Sequence, residues 1–353
     1  MIRTLIVDDS GIVRAMLKHV MESDGNFEVV GSAANGQGAV EQNKVLSPEL
    51  IIMDLNMPVM DGIEATRTIM QENARTPVIV AFTTEDEAKI GYKCLEAGAV
   101  EIIKKPNLAS MTVAELEAFC ERLKLITSVN RPKTRQNRLL HKSASKNAEL
   151  QPKEHRSLVK SKYRMLVVGA STGGPIAVQT LLQDLGRDFP IPVLITQHID
   201  LMFDSQFASW LDSTTGFSVS LAEDGIIPEP GHAYIAPAET HLVVSEKSDS
   251  PCNCCLTINN DPPLYFLKPA VDKLFCSAAP ILKEKLLGVL LTGMGKDGAE
   301  GCRSIIEHGG KTICQNQDSC VIFGMPRAAI ELNAASHVMA LEEIGSFINS
   351  IVR

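Results

Sequence analysis

The segment Gly169-Ala170-Ser171-Thr172-Gly173-Gly174-Pro175 contains the spacing G-x-S-x-G. A serine held in a tight strand-to-helix turn exposes its hydroxyl, and Pro175 has the fixed φ that suits an early helical position. Backbone N–H groups at such a helix start point toward developing negative charge. The spacing alone is only moderately specific, because small Ser/Gly turns also bind phosphate, although the lysine of a P-loop is missing. A nucleophilic serine needs a base. Gln197-His198 closes the apolar run Leu194–Thr196, so His198 should emerge at the same sheet edge as Ser171. His232, His241, His308 and His337 stand beside turns or within helical patterns, where structural roles are expected. The third member should be a carboxylate near another strand end. Thr292-Gly293-Met294-Gly295-Lys296-Asp297-Gly298 follows Leu287–Leu291, which makes Asp297 the candidate and Asp224 the first alternative.

A second set of reactive groups lies near the N-terminus. Asp8 and Asp9 close the first apolar run and Asp54 closes the third, while Thr83 and Lys105 end the fourth and fifth. Three carboxylates at one edge repel each other unless a cation joins them, and a hard divalent ion such as Mg²⁺ suits oxygen ligands. Two rival sites weigh less. Gly293–Gly298 is also a G-x-G-x-x-G, with Asp318 beyond it, but the following strand Lys311–Cys314 ends in Gln315-Asn316 rather than in a ribose-binding acid. Cys252-Asn253-Cys254-Cys255 lacks a second pair at zinc-finger spacing, so reduced thiols in a loop are expected.

The elements that must position these groups alternate regularly. Strand candidates at Thr4–Val7, Glu28–Ser32, Leu50–Met53, Val78–Phe82 and Val100–Ile103 are separated by helical patterns starting near Gly11, Gly36, Gly62 and Glu87, with another over 112–126. Five βα units predict a doubly wound, flavodoxin-like parallel sheet with its chemistry at the carboxyl ends of the strands. The second half offers strands at Met165–Gly169, Val193–Thr196, Ala233–Ala236, Leu242–Ser245, Leu256–Ile258 and Leu287–Leu291. The closeness of the middle ones, with Pro228-Glu229-Pro230-Gly231 among them, predicts hairpins added to a largely parallel α/β hydrolase-type sheet.

The chain has 353 residues, 45% hydrophobic and 22% charged, which accommodates two domains of ordinary globular composition. No apolar run reaches the roughly 20 residues that cross a bilayer, and the short N-terminal run is unlike a secretory signal, so a cytoplasmic protein is expected. Arg131 to Arg164 holds eleven Lys/Arg against two Glu, a net +9 within a chain of net −8, leaving −17 for the rest. With almost no aromatic residues, this stretch reads as a solvated linker rather than a nucleic-acid arm. The expected domains are residues 1–126, a basic polar linker over 127–163, and residues 164–353.

The first of these resembles the response-regulator receiver domain over essentially all of 1–126. The resemblance implies that Asp54 accepts a phosphoryl group from a histidine kinase and that Asp8, Asp9, Asp54 and the backbone carbonyl of Asn56 hold Mg²⁺. It makes Lys105 a phosphate partner and Thr83 the switch hydroxyl. Lys104 and Thr84 leave a one-residue ambiguity, in which spacing to the Lys-Pro pair favours Lys105 and Thr83. From about Met165 onward the chain resembles the catalytic domain of the CheB-type chemotaxis receptor methylesterases. The stretches that carry this are Gly169–Gly174, Gln197-His198, Ala222–Gly225, Pro230–Pro237, Thr292–Gly298 and Phe323–Arg327. The family's triad falls on Ser171, His198 and Asp297, and its oxyanion contacts fall around Thr172 and Met294. The implied activity is hydrolysis of glutamyl methyl esters on methyl-accepting chemotaxis receptors, activated by phosphorylation, with deamidation of selected receptor glutamines. Ester hydrolysis would need no cofactor, and a monomer without nucleic-acid or membrane partners is expected. A phospho-switched adaptor is the alternative; loss of a triad residue would favour it, and all three are present. A general α/β-hydrolase would place its acid before its histidine, and a transcription regulator would need a basic output domain. One departure concerns specificity: Tyr265-Phe266-Leu267-Lys268-Pro269 stands where the family commonly has a basic Arg-His-Arg-Pro stretch.

Overall fold

A computed structural model describes residues 1–72, 78–84, 88–128, 161–248 and 254–353. The chain divides into two compact units, Met1–Val129 and Asn130–Arg353. Most of the basic stretch, and Cys252 of the cysteine cluster, lie outside the described residues.

In the first unit, β1 (Ile2–Val7), β2 (Phe27–Ala33), β3 (Leu50–Asp54), β4 (Val78–Thr83) and β5 (Glu101–Lys104) form one parallel sheet in the order β2-β1-β3-β4-β5. All five residues of β3 and all six of β4 are buried. Continuous burial is what a parallel sheet covered on both faces requires. Helices α1 (Gly11–Asp24) and α5 (Val113–Thr127) pack over one face, on a core that includes Ile6, Leu17, Ile52, Val80, Phe82 and Leu123. Helices α2 (Gly36–Leu46), α3 (Gly62–Glu72) and α4 (Ala88–Ala97) pack side by side in that order. Local signals set the ends: Ser10 caps α1 by accepting from the Val13 N–H, and Thr112 with Glu115 forms a capping box on α5.

The second unit is built on seven strands: β6 (Met165–Ala170), β7 (Val193–Gln197), β8 (Ser218–Leu221), β9 (His232–Ile235), β12 (Leu286–Leu290), β13 (Lys311–Gln315) and β14 (His337–Met339). Their order is β14-β13-β12-β6-β7-β9-β8, and every pairing is parallel. The hairpin expectation is met once, and outside this sheet. β10 (His241–Glu246) and β11 (Cys254–Asn259) form an antiparallel ribbon of their own, whereas the run near Ala233 joins the main sheet in parallel. Helices α6 (Gly174–Leu185), α7 (Asp204–Thr215), α8 (Val271–Leu282), α9 (Ala299–Glu307), α10 (Met325–Glu331) and α11 (Leu341–Val352) complete the unit. Leu274, Phe275 and Ala278 of α8 pack with Met165, Val167 and Leu194 in one continuous core. Each of the larger side chains contributes about 1.5–3 kcal/mol by leaving water.

Both sheets reverse their direction of winding beside the first strand of the unit, between β1 and β3 and between β6 and β12. Crevices form outside the carboxyl ends of strands at such points. Asp8, Asp9 and Asp54 lie at the first, and Ser171 at the second.

Candidate active site and phosphorylation site

Strand register places the hydrolytic residues. Ala170 pairs with Gln197 across β6 and β7, and Gly169 pairs with Leu290 across β6 and β12. One residue beyond Ala170 therefore brings Ser171 beside His198, whose N–H donates to the Ala170 carbonyl at 3.0 Å, and the Ser171 N–H donates to the Thr292 carbonyl at 3.0 Å. The serine turn needs its glycines. Gly173 has φ +75°, and a Cβ there would sit 2.5 Å from Val321. A Cβ on Gly293 would sit 2.8 Å from the Ser171 Cβ.

The His198 Nε2 lies 2.8 Å from the Asp297 Oδ2. Asp297 is fully buried, and its carboxylate also accepts the first two N–H groups of α8: Val271 to Oδ2 at 2.7 Å and Asp272 to Oδ1 at 2.9 Å. The positive end of a helix thus holds the charge in place. Because Nε2 carries the proton shared with Asp297, Nδ1 is left as the lone-pair nitrogen of His198. Asp272 is a second buried carboxyl; burial first, then the charge of Asp297, pushes it well above the usual range, and its Oδ1 accepts the Gly301 N–H at 2.6 Å. Asp224, the alternative acid, is exposed and accepts from the Ile258 N–H instead. The remaining histidines in this unit have structural partners: His232 meets Ser220 Oγ, His241 accepts from the Ala270 N–H, His308 meets the Ser304 carbonyl, and His337 packs on Phe347. Thr172 is buried and Met294 is exposed at the loop following β12.

In the first unit the carboxylate oxygens of Asp8, Asp9 and Asp54 lie within 4.8 Å of one another, the one such acidic, histidine or cysteine group found among the described residues. Lys105, not Lys104, reaches them: its Nζ is 2.6 Å from Asp8 Oδ2 and 3.0 Å from Asp54 Oδ1. Thr83 is fully buried at the end of β4, Thr84 is exposed, and Asn56 lies exposed in the loop after β3. Burial pushes the Asp54 carboxyl up to about 6; Lys105 draws it down, while the charges of Asp8 and Asp9 raise it. Three hard oxygen donors converging beside one ammonium fit a divalent cation. Such a cation competes with the Asp54 proton. Its affinity should therefore fall as pH drops through about 6, approaching tenfold per unit below that. Calorimetric titration with Mg²⁺ between pH 7.5 and 5 checks this, and a flat profile would separate Asp54 from the metal.

Comparison with known proteins then decides the family. Residues 166–348 match the family described as CheB methylesterase, and residues 4–117 match the response regulator receiver domain. A protein-glutamate methylesterase/protein-glutamine glutaminase of Geobacter metallireducens is 37% identical over 355 residues, covering 99% of both chains. One from Vibrio vulnificus is 35% identical, covering 98% of this chain and 97% of its own. The chain belongs to the CheB methylesterase family. The crystal structure of the Thermotoga maritima CheB methylesterase catalytic domain covers 54% of this chain and 99% of its own, at 35% identity and a TM-score of 0.52.

Within this CheB-family fold, several positioning groups are not evident from motif spacing. Thr292 joins three segments. Its Oγ1 donates to the Thr172 carbonyl at 3.0 Å and accepts the Ile322 N–H at 2.9 Å, while its own N–H donates to Gln315 Oε1 at 2.8 Å. Gln315 in turn donates to the Ser319 carbonyl at 2.8 Å. Gln197 donates from one amide to the carbonyls of both Ser171 and His198, at 2.9 and 3.0 Å. The sequence signal for these was the amide-ended strands, Thr196-Gln197 and Cys314-Gln315, where buried polar side chains need backbone partners. Thr292→Val keeps the shape but orphans two buried backbone groups, at about 1–3 kcal/mol each. We expect kcat to fall roughly ten- to hundredfold with KM little changed, and Thr292→Ser to retain most activity. Steady-state kinetics on a small ester checks both variants.

Proposed function

We propose that this chain is a phosphorylation-activated protein-glutamate methylesterase and protein-glutamine glutaminase acting on chemotaxis receptors. The observation that carries the reading is the Asp297 carboxylate, gripped by the N-terminus of α8 and bonded to His198 Nε2 at the strand edge where Ser171 emerges. Its protein-glutamate methylesterase/protein-glutamine glutaminase relatives match it end to end.

Ser171 Oγ attacks the carbonyl carbon of the glutamyl γ-methyl ester while His198 Nδ1 takes its proton. The tetrahedral oxyanion is stabilised by the N–H groups of Thr172 and Met294, a contribution of about 2.7–4 kcal/mol per good donor. Collapse of this intermediate breaks the C–O bond, and His198 returns the proton to the leaving methanol. A water, deprotonated by the same nitrogen, then frees Ser171 and leaves a glutamate. With a glutamine the leaving group is ammonia. Asp297 fixes the ring and stabilises its charged form.

In the other unit Asp54 accepts a phosphoryl group from a histidine kinase, Lys105 pairs with it and the Thr83 hydroxyl responds to it. Asp8, Asp9, Asp54 and the Asn56 carbonyl would hold Mg²⁺, which would supply charge neutralisation there. The protein acts as a monomer in the cytoplasm, where a histidine kinase supplies the phosphoryl group. Separately, no described helix is long and apolar enough to cross a membrane.

Mass spectrometry of a methylated receptor fragment, incubated with the protein with and without a phosphodonor, tests the reading. Each hydrolysed ester loses one methylene unit of mass, and the phosphodonor should speed this in the wild-type chain but not in Asp54→Ala. An unchanged receptor mass under both conditions would overturn the assignment.

A further inference from the structure

Tyr265 and Phe266 form the two-residue tip of a tight hairpin. Leu264 and Leu267 close it by exchanging both backbone hydrogen bonds, at 3.1 and 2.9 Å. Both tip residues have left-handed φ, 54° and 64°. Two consecutive positive φ values are the mark of a type I′ turn, whose usual occupants are Asn, Asp and Gly because larger side chains are strained there. Here an aromatic pair occupies it. Such strain persists only where surrounding structure holds it, and it concentrates at functional sites.

The surroundings do hold it, and they are parts of the catalytic apparatus. The Lys296 Nζ sits over the Tyr265 ring, 4.9 Å from its centroid, and Lys296 immediately precedes Asp297. On the other side, the chain runs from Phe266 through Pro269 into Val271, whose N–H holds the Asp297 carboxylate. The turn is therefore tied to the triad acid from both directions. Tyr265 is occupied beneath its lysine, while Phe266 is fully exposed. The one charged group that follows, Lys268, is directed to the Asn260 carbonyl at 3.4 Å. At Phe266 the tip thus offers a bare phenyl ring. Two other loops at this strand edge also expose apolar side chains: Leu201, three residues after His198, and Met294, three residues before Asp297.

We propose that Phe266 is a substrate-recognition residue, packing on an apolar side chain of the receptor segment that carries the glutamyl ester. The inference rests on the methylesterase reading above and specifies the surface that reading leaves open. An exposed phenyl on a backbone already locked in place gains contact area at little entropic cost, which is why aromatic residues dominate binding energy at interfaces. An amphipathic helix fits this arrangement, because it can lay apolar side chains against Phe266, Leu201 and Met294 while a long glutamyl ester reaches Ser171.

The test compares the full-length wild-type chain with Phe266→Ala, Phe266→Leu and Phe266→Lys. The substrates are a methylated receptor fragment and p-nitrophenyl acetate, a small ester that carries no flanking receptor side chains. For the receptor fragment, KM should rise about tenfold in Phe266→Ala and at least as much in Phe266→Lys, with Phe266→Leu close to wild type. Turnover of p-nitrophenyl acetate should stay within about twofold in all three, which also shows that the site remains folded. An unchanged receptor KM in Phe266→Ala overturns the proposal. So does a rise in activity on both substrates, which would make the tip a cover made by the chain itself. A wild-type chain that cleaves the small ester but no receptor ester overturns the methylesterase reading and this inference together, and is recognised because the wild type itself fails.

Discussion

Ser171→Ala should lower kcat for methanol release from a methylated receptor fragment by roughly 10⁶, the scale on which triads lose activity when the nucleophile is removed. The effect is large because His198 and Asp297 serve that one oxygen: without it the base has no proton to take, and only the oxyanion donors and binding remain. The fold should be unaffected. Ser171 holds its place through its backbone, the N–H donating to Thr292 and the carbonyl accepting from Gln197 and the Gly174 N–H, and alanine keeps all three bonds. Methanol release and a thermal melt on the same preparation check both halves of the expectation. A normal melt with normal turnover would move the nucleophile elsewhere.

Asp297→Asn should lower kcat by about 10⁴. Oδ2 of Asp297 accepts from both His198 Nε2 and the Val271 N–H, while Oδ1 accepts from the Asp272 N–H. Asparagine has one acceptor oxygen, so in either orientation its NH₂ group faces a donor. If the oxygen stays toward His198, the Asp272 N–H meets an amide N–H. If it turns, His198 loses its acceptor and must change tautomer, which places the proton on Nδ1 where the lone pair is needed. The loss should appear in kcat at every pH, and ¹⁵N NMR of the imidazole should report the altered tautomer. Activity within tenfold of wild type would exclude Asp297 as the orienting acid.

Much of this was written locally in the chain. The β-branched and aliphatic runs ending in Asp9, Asp54 and His198, their regular spacing with amphipathic stretches, and the glycine-framed serine depend only on near neighbours. Periodicity and turn chemistry therefore reveal the βα alternation, the two units and the strand ends at which chemistry gathers. Two short strands, Ser218–Leu221 and His337–Met339, are not marked in this way. They carry polar residues at sheet edges, and pairing with neighbours rather than their own composition makes them strands. The ribbon formed by His241–Glu246 and Cys254–Asn259 was legible as a hairpin, but its separation from the main sheet was not.

What only the tertiary structure decided is how distant residues meet. The register of three parallel strands puts Thr292 opposite Ser171, and a hydroxyl 120 positions along the chain then fixes the Thr172 carbonyl. The use of His198 Nε2 rather than Nδ1 toward the acid and the grip of the α8 N-terminus on Asp297 are of the same kind. Each rests on hydrogen bonds between polar groups that approach only after the sheets close. Such bonds are directional and effective over about 3 Å, whereas a sequence pattern records only which face of an element a residue occupies.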